Sequence, residues 1–170
     1  MEQQKAYYHS PVGILEIKTS GDILNALFFI NSWKGPAINE NEIHAETDLS
    51  PGAEKTINQL KEYFEGKRKI FDMPLQQEGT VFQLKVWEQL THIPYGRTIS
   101  YLQLSKNIGD VKAIRAVGTT NGKNSISIIV PCHRVIGSNG DLVGYGGDLW
   151  RKKWLLAHEA KFENGVQTLF

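Results

Sequence analysis

Apolar and polar positions first recur along this chain with a period near two. Tyr7 and Tyr8 precede a turn, His9-Ser10-Pro11-Val12-Gly13, and Ile14 to Thr19 alternates in part. Gly21-Asp22 marks a second turn, and Ile23 to Ile30 is an apolar run suited to a buried strand. Three strands so punctuated predict a small antiparallel meander. Asn31 to Leu49 is polar, carries Gly and Pro, and reads as a loop. The period then lengthens. Ser50 is placed to cap a helix with Pro51 at its first position; Ile57, Leu60 and Phe64 share a face, and Gly66 ends it. Lys67 to Gly79, with Pro74, has little period and reads as a strand or extended segment leading into a linker, so domains are expected over 1–78 and 79–170.

The second half is more helical. Thr80-x-x-Gln83 is a capping-box pattern followed by Leu84, Trp87 and Leu90, and Pro94-Tyr95-Gly96 stops that helix. Ser100-x-x-Gln103 predicts a second box and a short helix to about Asn107. After the Gly109-Asp110 turn, Asp110 caps a third helix with a small apolar face of Ala113, Ile114 and Val117. Two short helices across a tight turn resemble a helix-turn-helix. Ile126 to Val130 reads as a strand, and 134–136 with 141–143 read as a hairpin around Ser138-Asn139-Gly140, which would be a wing. Asp148 is placed to cap a last helix with Trp150, Trp154 and Leu155 on one side. No repeat, phosphate-binding loop or dinucleotide glycine pattern is present.

Composition narrows the function classes. The chain has 170 residues, 41% hydrophobic, with a net charge of +1, which excludes a strongly basic histone-like protein. One cysteine excludes a disulfide scaffold and a cysteine zinc cage. No stretch approaches the roughly 18 apolar residues of a membrane span, and the N-terminus lacks a signal-peptide pattern. The expectation is a cytoplasmic protein with no membrane association. The near-neutral charge is uneven: residues 1–80 hold 8 Lys/Arg against 12 Asp/Glu, and residues 81–170 hold 11 against 6. A polyanion would meet the second half.

Candidate chemistry centres on Cys132, in Val130-Pro131-Cys132-His133-Arg134-Val135. A lone cysteine is often a small buried hydrophobe. Here a proline fixes the backbone before it and two basic-capable groups follow, a context that favours the nucleophilic thiolate. Adjacent side chains point apart on a strand, so His133 acts directly only if the chain turns; a water between them is the equal alternative. His9, His44, His92, His133 and His158 include no pair at metal-helix spacing, so no metal site and no cofactor are expected. Glu159 sits at the unfavourable end of a helix dipole, either solvated or partnering a histidine.

The run Val130-Pro131-Cys132-His133-Arg134-Val135-Ile136 resembles the active-site signature of the O6-alkylguanine-DNA alkyltransferases, the methylated-DNA–protein-cysteine methyltransferases. Ile93-Pro94-Tyr95-Gly96, Ile99-Ser100-Tyr101, Arg115-Ala116-Val117-Gly118, Asn124, Gly144-Tyr145 and Leu155-Leu156-Ala157-His158-Glu159 follow in family order, over about residues 80–160. The resemblance implies an α+β protein, with a ribonuclease H-like N-terminal sheet and helix before a mostly helical winged helix-turn-helix domain. It implies direct-reversal DNA repair in one turnover. Cys132 would take the alkyl group from guanine O6, and possible substrates include O4-alkylthymine. His133 would deprotonate the thiol through a water, Glu159 would hold the histidine, and Asn124 would brace the loop.

On the DNA side, the resemblance has Tyr101 press on the phosphate beside the target and donate to the departing guanine. Arg115 would replace the flipped nucleotide in the duplex, with Ser138 a further DNA contact. Val135, Tyr145 and Gly146 would line the alkylguanine pocket. The partner implied is double-stranded DNA met through the minor groove by a monomer, where small Ala113, Ala116 and Gly118 let the helix approach. Taken singly, Tyr101 is also compatible with a core aromatic and Arg115 with a solvated charge. Three departures stand out: Ser125 replaces a common proline, Gly146-Gly147-Asp148 lacks a bulky residue found in some members, and the N-terminal zinc cysteines of others are absent. A lesion sensor without transfer would replace the cysteine. A cysteine hydrolase would place it at a helix N-terminus and turn over repeatedly.

Overall fold

The computed structural model describes residues 2–45 and 47–164; residues 165–170, the end of the expected second domain, lie outside the described residues. The chain divides into two compact units, residues 1–77 and 78–170.

In the first unit, β1 (Gln3–Ser10), β2 (Gly13–Ser20) and β3 (Ile23–Phe29) form one antiparallel sheet in the order β1-β2-β3. Ala6 pairs with Ile17 and Ile17 with Leu27, so the buried positions line up across the sheet. Helix α1 (Pro51–Phe64) covers it. The Ser50 hydroxyl accepts from the Ala53 N–H with Pro51 in the first turn, and Gly66 takes the left-handed φ of 77° that closes the helix. The apolar stripe is broader than its spacing indicates: Ala53, Leu60 and Tyr63 are fully buried, and Ile57 is only half-buried. The segment after α1 forms no strand of its own. It docks on β3 by two backbone bonds, Leu24 N–H to the Pro74 carbonyl and Gln76 N–H to the Leu24 carbonyl, each 3.0 Å.

The second unit begins at α2 (Val81–Leu90), where Thr80 and Gln83 close a reciprocal capping box. Its buried face is Val86, Trp87 and Leu90, with Leu84 42% exposed, one step round from the expected stripe. The Trp87 indole donates to the Thr120 carbonyl at 2.9 Å, which buries a polar edge with its partner supplied. Helix α3 (Tyr101–Ile108) starts with the Ser100 hydroxyl accepting from Gln103 N–H, but the Gln103 side chain bonds Asn107 instead of returning to the cap. Gly109, at φ 92°, ends α3; Asp110 caps a 3-10 turn, and α4 (Ile114–Gly122) follows. Of the apolar trio expected to face inward, only Val117 is buried; Ile114 is 38% exposed. Strand β4 (Ile99–Ser100) pairs in parallel with β5 (Val135–Ile136), and α5 (Leu149–Asn164) closes the unit.

Two expected strands are not strands. Residues 126–130 form turns, because Ile128 adopts φ 68°, outside the extended region, and the Asn124 amide takes the carbonyls of Ile126 and Val130 that a ladder would use. The wing is a loop rather than a paired hairpin. Gly137 N–H bonds the Asp141 carbonyl at 2.8 Å, but the next acceptor a ladder needs, the Val143 carbonyl, receives side-chain donors from Tyr101 and Lys152.

Candidate active site

Cys132 opens a 3-10 turn, Cys132–Arg134, immediately before β5. Pro131 at φ −82° leads in, and Cys132 N–H bonds the Val130 carbonyl at 2.8 Å. The chain does turn here, so Cys132 and His133 are not held on opposite faces of a strand. Cys132 is 6% exposed. Asn124 organises the approach: its amide donates to the Val130 carbonyl at 2.7 Å and to the Ile126 carbonyl at 3.0 Å, and its oxygen accepts from Ile126 N–H at 3.1 Å. Asn121, on α4, donates to the Cys132 carbonyl at 3.3 Å.

Behind the cysteine lies a fully buried ionic cluster around Glu159, on α5. His133 Nε2 donates to Oε2 at 2.6 Å. Arg134 donates from Nε to Oε1 at 2.7 Å and from Nη2 to Oε2 at 3.1 Å, while its Nη1 reaches the Ile93 carbonyl at 2.7 Å. Gly96 N–H adds a fourth donor at 3.2 Å to Oε1. Gly96 sits at φ 73°, and a Cβ there would lie 2.8 Å from that of Glu163, so the Pro94-Tyr95-Gly96 stop is built for this approach. Burial alone would raise the Glu159 carboxyl, but His133 and Arg134 outweigh it and hold the group well below the usual carboxylate range. Burial lowers His133, outweighing the pull of Glu159, and leaves a neutral imidazole. With Nε2–H committed to the carboxylate, the lone pair lies on Nδ1, a buried atom with no protein partner among the described residues.

The charge of a second buried cation, Lys152, also bears on the thiol. Lys152 is fully buried, and its ammonium donates to the carbonyls of Val135 at 2.6 Å and Val143 at 2.9 Å, with Tyr101 Oη at 3.5 Å. Burial pushes it down to about 8, opposed by the charge Cys132 would carry as a thiolate. Burial likewise pushes the Cys132 thiol up, with the Asn124 hydrogen bond and Lys152 opposing in part. The resting group is a thiol, and it needs a base to react near neutrality.

Most of the residues singled out from sequence converge here. Cys132, His133, Glu159 and Asn124 meet as described. Tyr101 opens α3 and donates to the Val143 carbonyl at 3.1 Å; burial and then the Cys132 charge raise its hydroxyl. Tyr145 is buried, and the same two causes raise its hydroxyl well above the ordinary tyrosine value. Val135 is fully buried in β5, adjoining the cysteine turn, and Gly146 is half-buried beside Tyr145. Arg115 and Ser138 are exposed, on α4 and on the loop after β5. Around Arg115, Val111 and Lys112 on the preceding 3-10 turn and Ile114, Ala116 and Thr119 on α4 are exposed as well, so this stretch presents an outer face of basic, small and a few apolar residues. Sequence reasoning took Arg134 only as a basic group beside Cys132, not as a partner of Glu159, and gave Lys152 no role. Among the described residues no group of three metal-ligating side chains gathers, and no helix is long and apolar enough to cross a membrane.

Comparison with known proteins yields two family matches. Residues 81–161 match "6-O-methylguanine DNA methyltransferase, DNA binding domain", and residues 4–77 match "6-O-methylguanine DNA methyltransferase, ribonuclease-like domain". The constitutive methylated-DNA–protein-cysteine methyltransferase of Bacillus subtilis is 44% identical over 142 residues, 81% of this chain and 83% of that protein. That of Mycobacterium tuberculosis is 43% identical over 162 residues, 95% and 94% of the two chains. The crystal structure of the M. tuberculosis O6-methylguanine methyltransferase superposes with a TM-score of 0.81 at 38% identity, over 94% of each chain. A structure of the M. tuberculosis protein in complex with DNA superposes equally, at 0.81 and 39% identity over 93% of each.

Proposed function

Since the chain belongs to the 6-O-methylguanine DNA methyltransferase family, we propose that it repairs O6-alkylguanine in double-stranded DNA by moving the alkyl group to Cys132. The Cys132 sulfur attacks the alkyl carbon in line. The S–C bond forms as the C–O6 bond breaks, and its electron pair leaves with the guanine. The thiol proton passes through a water to Nδ1 of His133, whose Nε2–H is fixed by Glu159. A thioether has no good leaving group, so each chain acts once.

The observation that carries this reading is the Glu159 cluster. A buried, ionised carboxylate fixes one tautomer of a neutral imidazole on the residue next in sequence to a buried thiol. That is the arrangement of an activated cysteine nucleophile. Asn124 holds the Val130–Cys132 backbone, and Lys152 favours the thiolate.

Residues 79–170 carry the reaction and residues 1–78 support them. The outer face of α4 enters the minor groove, where readout is degenerate and little sequence preference follows. The target base leaves the stack, at a cost of a few kcal/mol, because a stacked guanine hides its O6 substituent from a thiolate. Arg115 takes the vacated place, Tyr101 contacts the neighbouring phosphate and the leaving base, and Ser138 contacts the backbone. Val135, Tyr145 and Gly146 border the flipped base. The protein works as a cytoplasmic monomer without a cofactor, and its DNA affinity falls with salt.

Intact mass after incubation with duplex DNA carrying O6-methylguanine tests this. The expected result is one gain of about 14 Da per chain, lost in Cys132→Ser. An unchanged mass despite tight DNA binding, or transfer by Cys132→Ser at the parent rate, overturns it.

A further inference from the structure

The segment that follows Tyr145 is built unusually for a loop. Tyr145 to Asp148 forms a tight turn, with Asp148 N–H bonding the Tyr145 carbonyl at 2.9 Å. Asp148 adopts φ 75°, in the left-handed region that L-residues avoid, directly after Gly146 and Gly147. One guanidinium holds that turn. Arg151 Nη1 donates to the Gly147 carbonyl at 3.2 Å and to the Asp148 carboxylate at 3.1 Å. The Arg151 side chain is 11% exposed, and its guanidinium lies 4.4 Å from the centroid of the Trp150 ring. The next residue, Lys152, pins the other end of the segment through the carbonyls of Val143 and Val135. Two consecutive cations on the first turn of α5 thus brace the strip 143–148 from both ends, with Tyr145 and Gly146 between them. The Arg151 charge also reaches the buried Tyr145 hydroxyl.

From this geometry we propose that the Arg151–Asp148 clamp is a specificity-determining device for the transfer reaction: it fixes how far the Tyr145-Gly146 wall can retreat and so limits the size of the alkyl group accepted. The proposal rests on the reading of Cys132 as the alkyl acceptor. Gly146 and Gly147 offer room but no rigidity, because glycine leaves the backbone free. The clamp supplies the rigidity. With it closed, a methyl group fits and a larger group must displace a wall held at a strained φ by two hydrogen bonds and a stacked ring. With it open, the wall yields at little cost. Arg151 and Asp148 are therefore positioning residues that act through Tyr145 and Gly146.

The test is competitive. Single-turnover transfer rates are measured for one duplex sequence carrying either O6-methylguanine or O6-benzylguanine, with the parent, Arg151→Ala, Arg151→Lys and Asp148→Asn. The benzyl-to-methyl rate ratio is expected to rise about tenfold in Arg151→Ala, in line with the selectivity a pocket wall of this kind commands. Asp148→Asn keeps an acceptor and a tolerance for left-handed φ but loses the charge, and Arg151→Lys loses the two-pronged reach, so both should rise by less. Loss of folded or active protein slows both substrates alike and leaves the ratio where it was, so the ratio separates wall position from simple damage. If Arg151→Ala does not fold, the two conservative variants decide. Ratios within twofold of the parent in every folded variant overturn the clamp alone. A parent that accepts neither group overturns the assigned reaction and the clamp with it.

Discussion

Replacing Glu159 by Gln removes one charge and one acceptor from a site that has four donors for two oxygens. His133, Arg134 (twice) and Gly96 all donate to the carboxylate, at 2.6 to 3.2 Å. A glutamine keeps one oxygen. If that oxygen stays with Arg134 Nε and Gly96, the new NH2 group meets His133 Nε2–H and Arg134 Nη2 as donor against donor. The imidazole can resolve its share only by moving its proton to Nδ1, which abolishes the lone pair that serves as base. Arg134, 6% exposed, is left as a buried cation without its counter-charge. Removing one partner of such a pair costs about 3–5 kcal/mol, read as a lower urea midpoint at unchanged slope. Loss of a positioned general base costs about 10²–10⁴ in rate, read as single-turnover transfer from O6-methylguanine DNA at saturating protein. The deficit should shrink as pH rises, because hydroxide makes the thiolate directly in the variant, whereas the parent already has its base and gains less. A Glu159→Gln protein within about threefold of the parent rate, with less than about 1 kcal/mol of stability lost, would refute both the tautomer assignment and the buried-pair argument.

Three further outcomes follow from the same geometry. Glu159 is held below its ordinary value of 4.5 and His133 below 6.5, so the unfolded chain takes up protons first at both sites; stability should begin to fall as pH drops below 6.5, steepen below 4.5, and lack that second step in Glu159→Gln, as urea titrations across the range would show. Asn124→Ala deletes three buried hydrogen bonds and strands the Ile126 N–H, while the Ile126 and Val130 carbonyls keep one backbone donor each, so about 2–4 kcal/mol should go, together with most of the transfer rate, and a stability loss under about 1 kcal/mol would contradict the bracing role. Arg115→Ala should slow transfer from duplex DNA by about tenfold or more while sparing reaction with free O6-benzylguanine base, since only the duplex needs its vacated place filled; equal slowing of both would argue against that role.

The local punctuation of the chain was readable because caps and stops act over three or four residues. Thr80 with Gln83, Ser50 with Pro51, and Gly66 and Gly109 after their helices all lie in the positions that short-range geometry demands. Period failed where the partner of a backbone group is remote. Residues 126–130 are β-branched and apolar but for Ser127 and read as a strand, yet Asn124 captures the Ile126 and Val130 carbonyls and Ile128 turns to φ 68°. The wing failed likewise, since Lys152 and Tyr101 take the Val143 carbonyl that a hairpin needs. Leu84, Ile114 and Val111 are apolar and exposed. On α4 this has a reading in the proposed DNA face; nothing in the structure explains Leu84.

The site divides along the same line. Cys132 and His133 announce themselves by adjacency, and Glu159 reads from sequence as standing at the wrong end of a helix dipole, whereas α5 runs on to Asn164 and the carboxylate is buried against an arginine and a histidine. Arg134 signalled only its nearness to Cys132, not its pairing with Glu159, and Lys152 gave no signal. A charged residue in a helical or turn pattern reads as solvated, because burying one is prohibitive unless its partners are in place. Those partners lie far along the chain: Glu159 and Ile93 for Arg134, Val135 and Val143 for Lys152. The inward face of α5 carries Lys152, Leu155, Leu156, Glu159 and Ala160, so hydrophobic patterning could not orient this helix. The two buried charges that blur the pattern are the reason α5 belongs to the site. One holds the His133 imidazole, the proposed base; the other lowers the Cys132 thiol and pins the strip that carries Tyr145. A helix whose buried face carries two charges is therefore better read as a site-forming element than as a poor amphipathic one.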